Sequence, residues 1–357
     1  MITMKDVARE ANVSNATVSR VLQGEPHVRE EVRVRVLATV KRMGYKPSRV
    51  ARSLRTNKSS VIGMVITDVQ NPFFTTLARA VEDVCYENNY AVFLCNVDEN
   101  IEKERFYIDT MLAEKVAGVV ISPTQETNNP SWILVKAGIP VVSVDRRMLD
   151  LTVDTVTVDN ISGAYKATTH LIDHGCRDIA IITGPKNSTT GRERLEGYIK
   201  ALQDHQMNVI PEYIKIGSFK SEYGYKSMME LLKLSHPPTA VFTANYPIAQ
   251  GAFNAIRQNG LKIPDDIKLI AYDQIELDTI YDTSITYMAQ PSYDLGKIAS
   301  KLLFARINAP ESPIQKIMLE PSLHIGHSCG CLAQLLSTPE TGPSSRVTSF
   351  NPKRKGD

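Results

Sequence analysis

Hydrophobic positions recur every three to four residues over the first 45 positions, then gather from about residue 60 into short, nearly continuous runs. The first pattern predicts three short helices. Thr3 stands three residues before Asp6 at capping-box spacing, with Val7, Ala8 and Ala11 on the inner side and Asn12 where a left-handed residue is wanted. A second helix, "NATVSRVLQG", is capped by Ser14 and stopped by Gly24, with Val18, Val21 and Leu22 facing inward. A third, "REEVRVRVLATVKRMG", carries Val32, Val36, Val40 and Met43 at helical spacing. Two helices joined by a tight turn, with a third packed across them, make a helix-turn-helix unit.

The second pattern places β-rich runs at 61–69, 90–97, 117–123, 139–146, 178–185, 239–245 and 267–273, each separated from the next by a helical segment. Such runs predict parallel sheets covered on both faces. The roughly 270 residues involved exceed one sheet, so two α/β lobes are expected, with ligands outside the C-terminal ends of the strands, where loops of both lobes meet. The expected fold is thus a small all-α helix-turn-helix head on a two-lobed α/β body with parallel sheets. "IMLEPSLHIGHSCG" alternates like one further strand. Beyond Cys331 the composition turns to Ser, Thr, Pro and Gly without periodicity, which predicts a disordered tail over 332–357.

Charge separates the two patterns. Residues 1–58 hold 13 Lys and Arg against 5 Asp and Glu, whereas the whole chain is only +2. A basic head on a mildly acidic body is the footprint of a nucleic-acid reader joined to a domain with another task. The N-terminus is charged where a secretory signal needs an apolar core, and no apolar run approaches a membrane span, so the chain is placed in the cytoplasm.

Five cysteines at irregular spacing read as reduced thiols. "HIGHSCGC" offers His324, His327, Cys329 and Cys331 as zinc ligands, but a strand there lines His327, Cys329 and Cys331 along one face. Three ligands in a row do not close a tetrahedron, so no metal site is expected. There is no P-loop, nucleophile elbow or His-rich metal motif; no catalytic residue and no cofactor is assigned.

In a helix-turn-helix the second helix lies in the major groove with its N-terminal residues facing base edges. Those residues are Asn15 and Ala16, with Arg20 one turn on. Asn suits adenine, Ala a thymine methyl and Arg guanine. Ser14, Thr17, Ser19 and the basic residues of the third helix are assigned to phosphates, which position the protein without specifying sequence.

"MKDVAREANVSNATVSRVLQG", followed by "GYKPSRVARSLR" and "IGMVITDVQNPFF", resembles the lactose and galactose repressor family, and the likeness runs from residue 3 to about 330. It implies a homodimer, in some members a tetramer, on a pseudo-palindromic operator, with affinity set by a small molecule. The third helix departs from the family by starting at Val28-Arg29 in place of a Ser cap, and Arg29 is assigned to a phosphate. The resemblance divides the chain into a DNA-binding domain (1–46), a hinge (47–60), a two-lobed effector and dimerisation domain (61–331) and the tail. In the hinge, Ala51 and Leu54 match the family's minor-groove contacts, and Arg49, Arg52 and Arg55 supply backbone contacts. Eight residues from Ser48 to Arg55 are too few to hold a helix alone, so the hinge is expected to order only with a partner and DNA.

The body resembles the periplasmic sugar-binding fold, with the ribose-binding proteins as the nearest analogy for the site. That resemblance implies Asn71, Phe73 and Phe74 from "NPFF", Asp145 and Arg146 from "VDR", and Arg194 from "GRERLEGY" as effector contacts. It adds Asn245 from "FTAN", Asp273 from "IAYD" and Gln290 from "MAQP". The chemistry agrees: carboxylates and amides take hydroxyl protons, arginines donate to sugar oxygens, and aromatic faces cover C–H surface. The expectation is a transcription regulator, a repressor released by a small ribose-like sugar bound between the lobes. A co-repressor-dependent regulator sensing a sugar acid, a sugar phosphate or a purine, and a sugar-binding receptor without DNA function, remain open alternatives. Tyr246 and the run Ala271-Tyr272-Asp273-Gln274 depart from the family's usual residues.

Overall fold

The computed structural model describes residues 2–22, 24–45, 59–274 and 284–331. The expected hinge contacts Ala51, Leu54 and Arg55, and the expected tail, lie outside the described residues.

The head forms α1 (Met4–Glu10), α2 (Asn15–Leu22) and α3 (Glu30–Met43). Local chemistry sets each boundary. Thr3 and Asp6 form a reciprocal capping box, Asn12 takes φ 51°, and the Ser14 hydroxyl accepts the Thr17 N–H at 3.1 Å. Arg29 caps α3 with no side-chain hydrogen bond, and Gly44 ends it in the left-handed conformation. Val7, Ala8, Ala11, Val18, Val21 and Val36 form the buried core of these helices.

The described residues divide into two compact units, those up to 159 with 186–192 and 291–320, and 160–185 with those of 193–290 and 321–331. In the first, β1 (Val61–Ile66), β2 (Ala91–Asn96), β3 (Gly118–Ile121), β4 (Val141–Val144), β5 (Asp154–Val158) and β11 (Lys316–Leu319) make one sheet. Its order is β11-β5-β4-β3-β1-β2, and all its pairings are parallel. One face packs against α4 (Pro72–Glu87) and α11 (Ser292–Asn308), through Phe74, Leu77, Leu295 and Leu303; the other packs against α5 (Ile101–Ala113) and α6 (Trp132–Lys136), through Ile108, Met111 and Leu134.

The second unit repeats the plan with β6 (Ile179–Thr183), β7 (Ile214–Ile216), β8 (Ala240–Thr243), β9 (Lys268–Tyr272), β10 (Thr286–Ala289) and β12 (Ser322–His324), in the order β12-β10-β9-β8-β6-β7. Only the edge pair β10/β12 is antiparallel. Helices α7 (Asn160–Asp173) and α8 (Thr189–Asp204) cover one face, and α9 (Ser221–Leu232) and α10 (Tyr246–Gln258) the other. The last two cross closely because a Cβ on Gly224 or Gly251 would collide with the facing backbone.

The expected strand over 317–330 is corrected. Glu320 and Pro321 break it into β11, in the first unit's sheet, and β12, in the second's. Proline removes the ladder donor at the break. The residues after His324 are not strand, so His327, Cys329 and Cys331 do not line one face.

Candidate effector site and DNA-reading face

In doubly wound sheets the ligand end lies outside the carboxyl ends of the strands, at the point where strand order reverses. Here the reversals fall at β1/β3 and at β6/β8. In the first unit β1 leads to Asn71, which caps α4 by accepting the Phe73 N–H at 3.0 Å. Phe73 and Phe74 are buried in the core, edge to face with ring centroids 4.9 Å apart, so they do not form a parallel slot for a flat ring.

Asp145 follows β4 directly and takes φ 68°, a left-handed conformation that Asp tolerates better than most residues but that is still costly. Its N–H bonds the Val156 carbonyl at 2.9 Å, and the Ser122 hydroxyl, one residue past β3, donates to its carboxylate at 3.1 Å. Beside it Arg146, 3 % exposed, donates from both terminal nitrogens to Glu99 at 2.7 Å. Burial alone pulls the Arg146 pKa down, but Glu99, Asp145 and Glu104 outweigh it and hold it above its ordinary value. Glu104 is itself fully buried, accepting from the Thr124 N–H and the Asn129 amide, and burial pushes its pKa up. Neither Glu99 nor Glu104 was read as functional from the sequence. No local signal marks either acid, because the demand for one arises only once Arg146 is buried, and Glu99 meets it from 47 positions away.

The second unit uses a parallel construction. Asp273 follows β9 directly, takes φ 74°, and donates its N–H to the Met288 carbonyl at 3.0 Å. Its carboxylate accepts the Tyr246 N–H at 3.3 Å and the amide of Gln290, which follows β10. Asn245, after β8, caps α10 by accepting the Ile248 N–H at 2.9 Å and donates to the Phe219 carbonyl at 3.1 Å. Tyr246 and Pro247 therefore form the first turn of α10, and the bond from position 246 to Asp273 comes from the backbone N–H and does not depend on the tyrosine side chain. Arg194 is buried, donates to Asn160 at 2.9 Å and to the Ala244 carbonyl, and lies 3.6 Å from the Tyr272 ring centroid. Asn160 was not singled out from sequence either, and Tyr272 was noted there only within a run that departs from the family. Among the nine expected contacts, Asn71, Phe73, Phe74, Asp145 and Arg146 fall in the first unit, and Arg194, Asn245, Asp273 and Gln290 in the second.

On the head, Asn15, Ala16 and Arg20 lie exposed at α2, and Arg29 is exposed at the start of α3. Arg20 also approaches Glu25 at 3.7 Å. Ser14 and Thr17 share a 2.9 Å hydroxyl contact at the helix start. Ser19 is corrected: it is buried at 7 % and belongs to the head's interior, because it sits on the α2 side that carries Val18 and Val21.

Residues 3–48 match the family described as "Bacterial regulatory proteins, lacI family", and residues 59–324 match "Periplasmic binding proteins and sugar binding domain of LacI family". A helix-turn-helix head ahead of such a body defines a ligand-controlled DNA-binding regulator.

The ribose operon repressor of Escherichia coli (strain K12) is 38% identical over 327 residues, covering 90% of this chain and 98% of that protein. The HTH-type transcriptional repressor PurR of Histophilus somni (strain 129Pt) is 37% identical over 329 residues, 92% and 99% of the two chains. The lac repressor dimer bound to operator and the anti-inducer ONPF superposes with a TM-score of 0.81 at 26% identity, over 92% of this chain and 99% of the other. The chain belongs to the LacI family of bacterial regulatory proteins and is a DNA-binding transcriptional repressor of that family. No helix among the described residues is long and apolar enough to cross a membrane.

Proposed function

We propose that this repressor acts in the cytoplasm as a homodimer on a pseudo-palindromic operator and that its effector is a small, unphosphorylated, ribose-like sugar that weakens operator binding. The observation that carries the reading is the matched pair Asp145 and Asp273. Each is a buried carboxylate in a left-handed conformation at the carboxyl end of a strand, ringed by donors and amides of the kind that bind vicinal hydroxyls. Asn71, Asn245 and Gln290 add amides, and Arg194 adds a guanidinium. The 38% identity to a ribose operon repressor supports the same reading.

In the head, Asn15, Ala16 and Arg20 read bases, while Ser14, Thr17 and Arg29 meet phosphates. Ala51 and Leu54 of the hinge enter the minor groove, with Arg55 on the backbone.

A second reading, a purine effector, is favoured by the 37% identity to a PurR repressor. The edge-to-face Phe73–Phe74 pair and the buried carboxylates argue against it, since a purine calls for stacking faces and fewer anions. Gel shift on operator fragments with ribose, other pentoses, hexoses, hypoxanthine or guanine separates the readings. Release by ribose alone supports the first; tightening by a purine base establishes the second and refutes the first.

A further inference from the structure

The second unit carries a side-chain cluster at the end opposite Asp273. His170 sits on the last turn of α7, and His174 follows four residues later, so both point from one side of the helix. The chain returns here after β12. Ser328 is anchored at the first residues of β9 and β10: its carbonyl accepts the Leu269 N–H at 2.9 Å, its hydroxyl donates to the Leu269 carbonyl at 2.6 Å, and it receives the Thr286 N–H at 2.8 Å. That anchoring sets Cys329 and Cys331 against the two histidines.

The Cys331 sulfur lies 3.1 Å from that of Cys329, 3.4 Å from His170 Nε2 and 3.0 Å from His174 Nε2. The donor atoms of His170, Cys329 and Cys331 all fall within 4.8 Å of one another. We propose that His170, His174, Cys329 and Cys331 form a binding site for a tetrahedral, thiolate-preferring divalent cation of the zinc type, distinct from the effector residues.

Four observations point there. Two thiols and two imidazoles are the donor set that such ions select, and two thiolates balance a dication. Bonds of about 2.3 Å to sulfur and about 2.0 Å to nitrogen put tetrahedral edges near 3.3–3.8 Å, and Cys331 stands 3.0–3.4 Å from the other three donors, so those three edges need open by no more than about 0.7 Å. His174 Nδ1 lies 2.7 Å from the His170 carbonyl, which can only accept, so Nδ1 carries the proton and Nε2 turns its lone pair toward Cys331. Lys268 donates to the His174 carbonyl at 2.9 Å and so fixes the chain that carries the second imidazole.

The ion would fasten the segment after β12 to α7. The other two histidines of the "HIGHSCGC" stretch are committed elsewhere. His327 Nδ1 meets the Ser284 hydroxyl at 2.8 Å, and His324 stacks on Tyr287 with centroids 5.1 Å apart.

The test uses the full chain, stripped with chelator under thiol reductant and titrated with Co²⁺ alone. One Co²⁺ per chain is expected, with thiolate charge-transfer absorption and the strong visible bands of tetrahedral coordination, both displaced by Zn²⁺. Cys331→Ser should weaken Co²⁺ binding more than about 100-fold, and His174→Ala, at an exposed position, by about 10- to 100-fold. His324→Ala and His327→Ala should leave it unchanged. The proposal is overturned if reduced wild-type protein shows no thiolate band, if the band survives Cys331→Ser, or if it is lost in His324→Ala or His327→Ala but kept in His174→Ala. A Cys329–Cys331 disulfide that resists reductant in freshly purified protein overturns it equally.

Discussion

Asp145 and Asp273 hold matching places in the two units and are secured by different means. Both follow a strand at once, both have φ near +70°, and both donate an N–H to the next strand. Around Asp145 the neighbours are ionic: Arg146 approaches its carboxylate at 3.5 Å and is clamped by Glu99, with the Ser122 hydroxyl completing the set. Around Asp273 the neighbours are neutral, a Tyr246 N–H and the Gln290 amide. One backbone device can therefore aim a carboxylate with or without a charge network. The networked version is the costlier to break, because removing one partner leaves a buried charge behind.

Five substitutions test this contrast. Glu99→Ala should have the largest effect: it strips Arg146 of its bidentate partner and should cost about 3 kcal/mol of stability in urea unfolding. A loss below 1 kcal/mol would show that the first unit's network is not what holds Arg146. Asp273→Asn and Asp145→Asn should each weaken effector binding by calorimetry about 10- to 100-fold, the range of a hydrogen bond to a charged group. Operator binding should survive both. Only Asp145→Asn should also lower the unfolding midpoint, and equal losses from the two would erase the distinction.

Glu104→Gln addresses pH. The folded Glu104 pKa stands above its ordinary 4.5, so the folded state holds its proton longer than the unfolded chain. That contribution is full below 4.5 and is lost as pH rises through the raised value. Wild-type stability should thus decline more steeply with rising pH in that window than the variant's, by up to about 1.4 kcal/mol per pH unit. Parallel profiles would contradict the burial argument. Ser122→Ala should be mildest, removing one neutral donor to Asp145 for about 1 kcal/mol, or roughly fivefold in effector affinity. An effect as large as that of Asp145→Asn would make Ser122 a direct ligand contact.

Much of this molecule could be read from neighbouring residues. The capping box at Thr3, the Ser14 cap and the left-handed Asn12 came from spacing alone, because a cap is chosen by the three or four residues beside it. The apolar runs located β1 to β4, β6, β8 and β9, since strands of a helix-covered parallel sheet are mostly apolar. Missed were β5, "DTVTV", whose threonines and aspartate interrupt the apolar run although every residue in it is buried, and the short β7 and β10. The expected strand at 317–330 failed because alternation says nothing about which sheet a residue joins.

Two features required the folded chain. Glu99 reaches Arg146 across 47 positions, and burial of that arginine is what demands the acid. Cys331 meets His170 across 161 positions, while His324 and His327, close to it in sequence, turn to other partners. Caps, turns and apolar periodicity act over a few residues and were legible in the linear chain. Which charge answers a buried charge, and which thiol meets which imidazole, was decided only when sheet pairing carried distant segments to the same strand end.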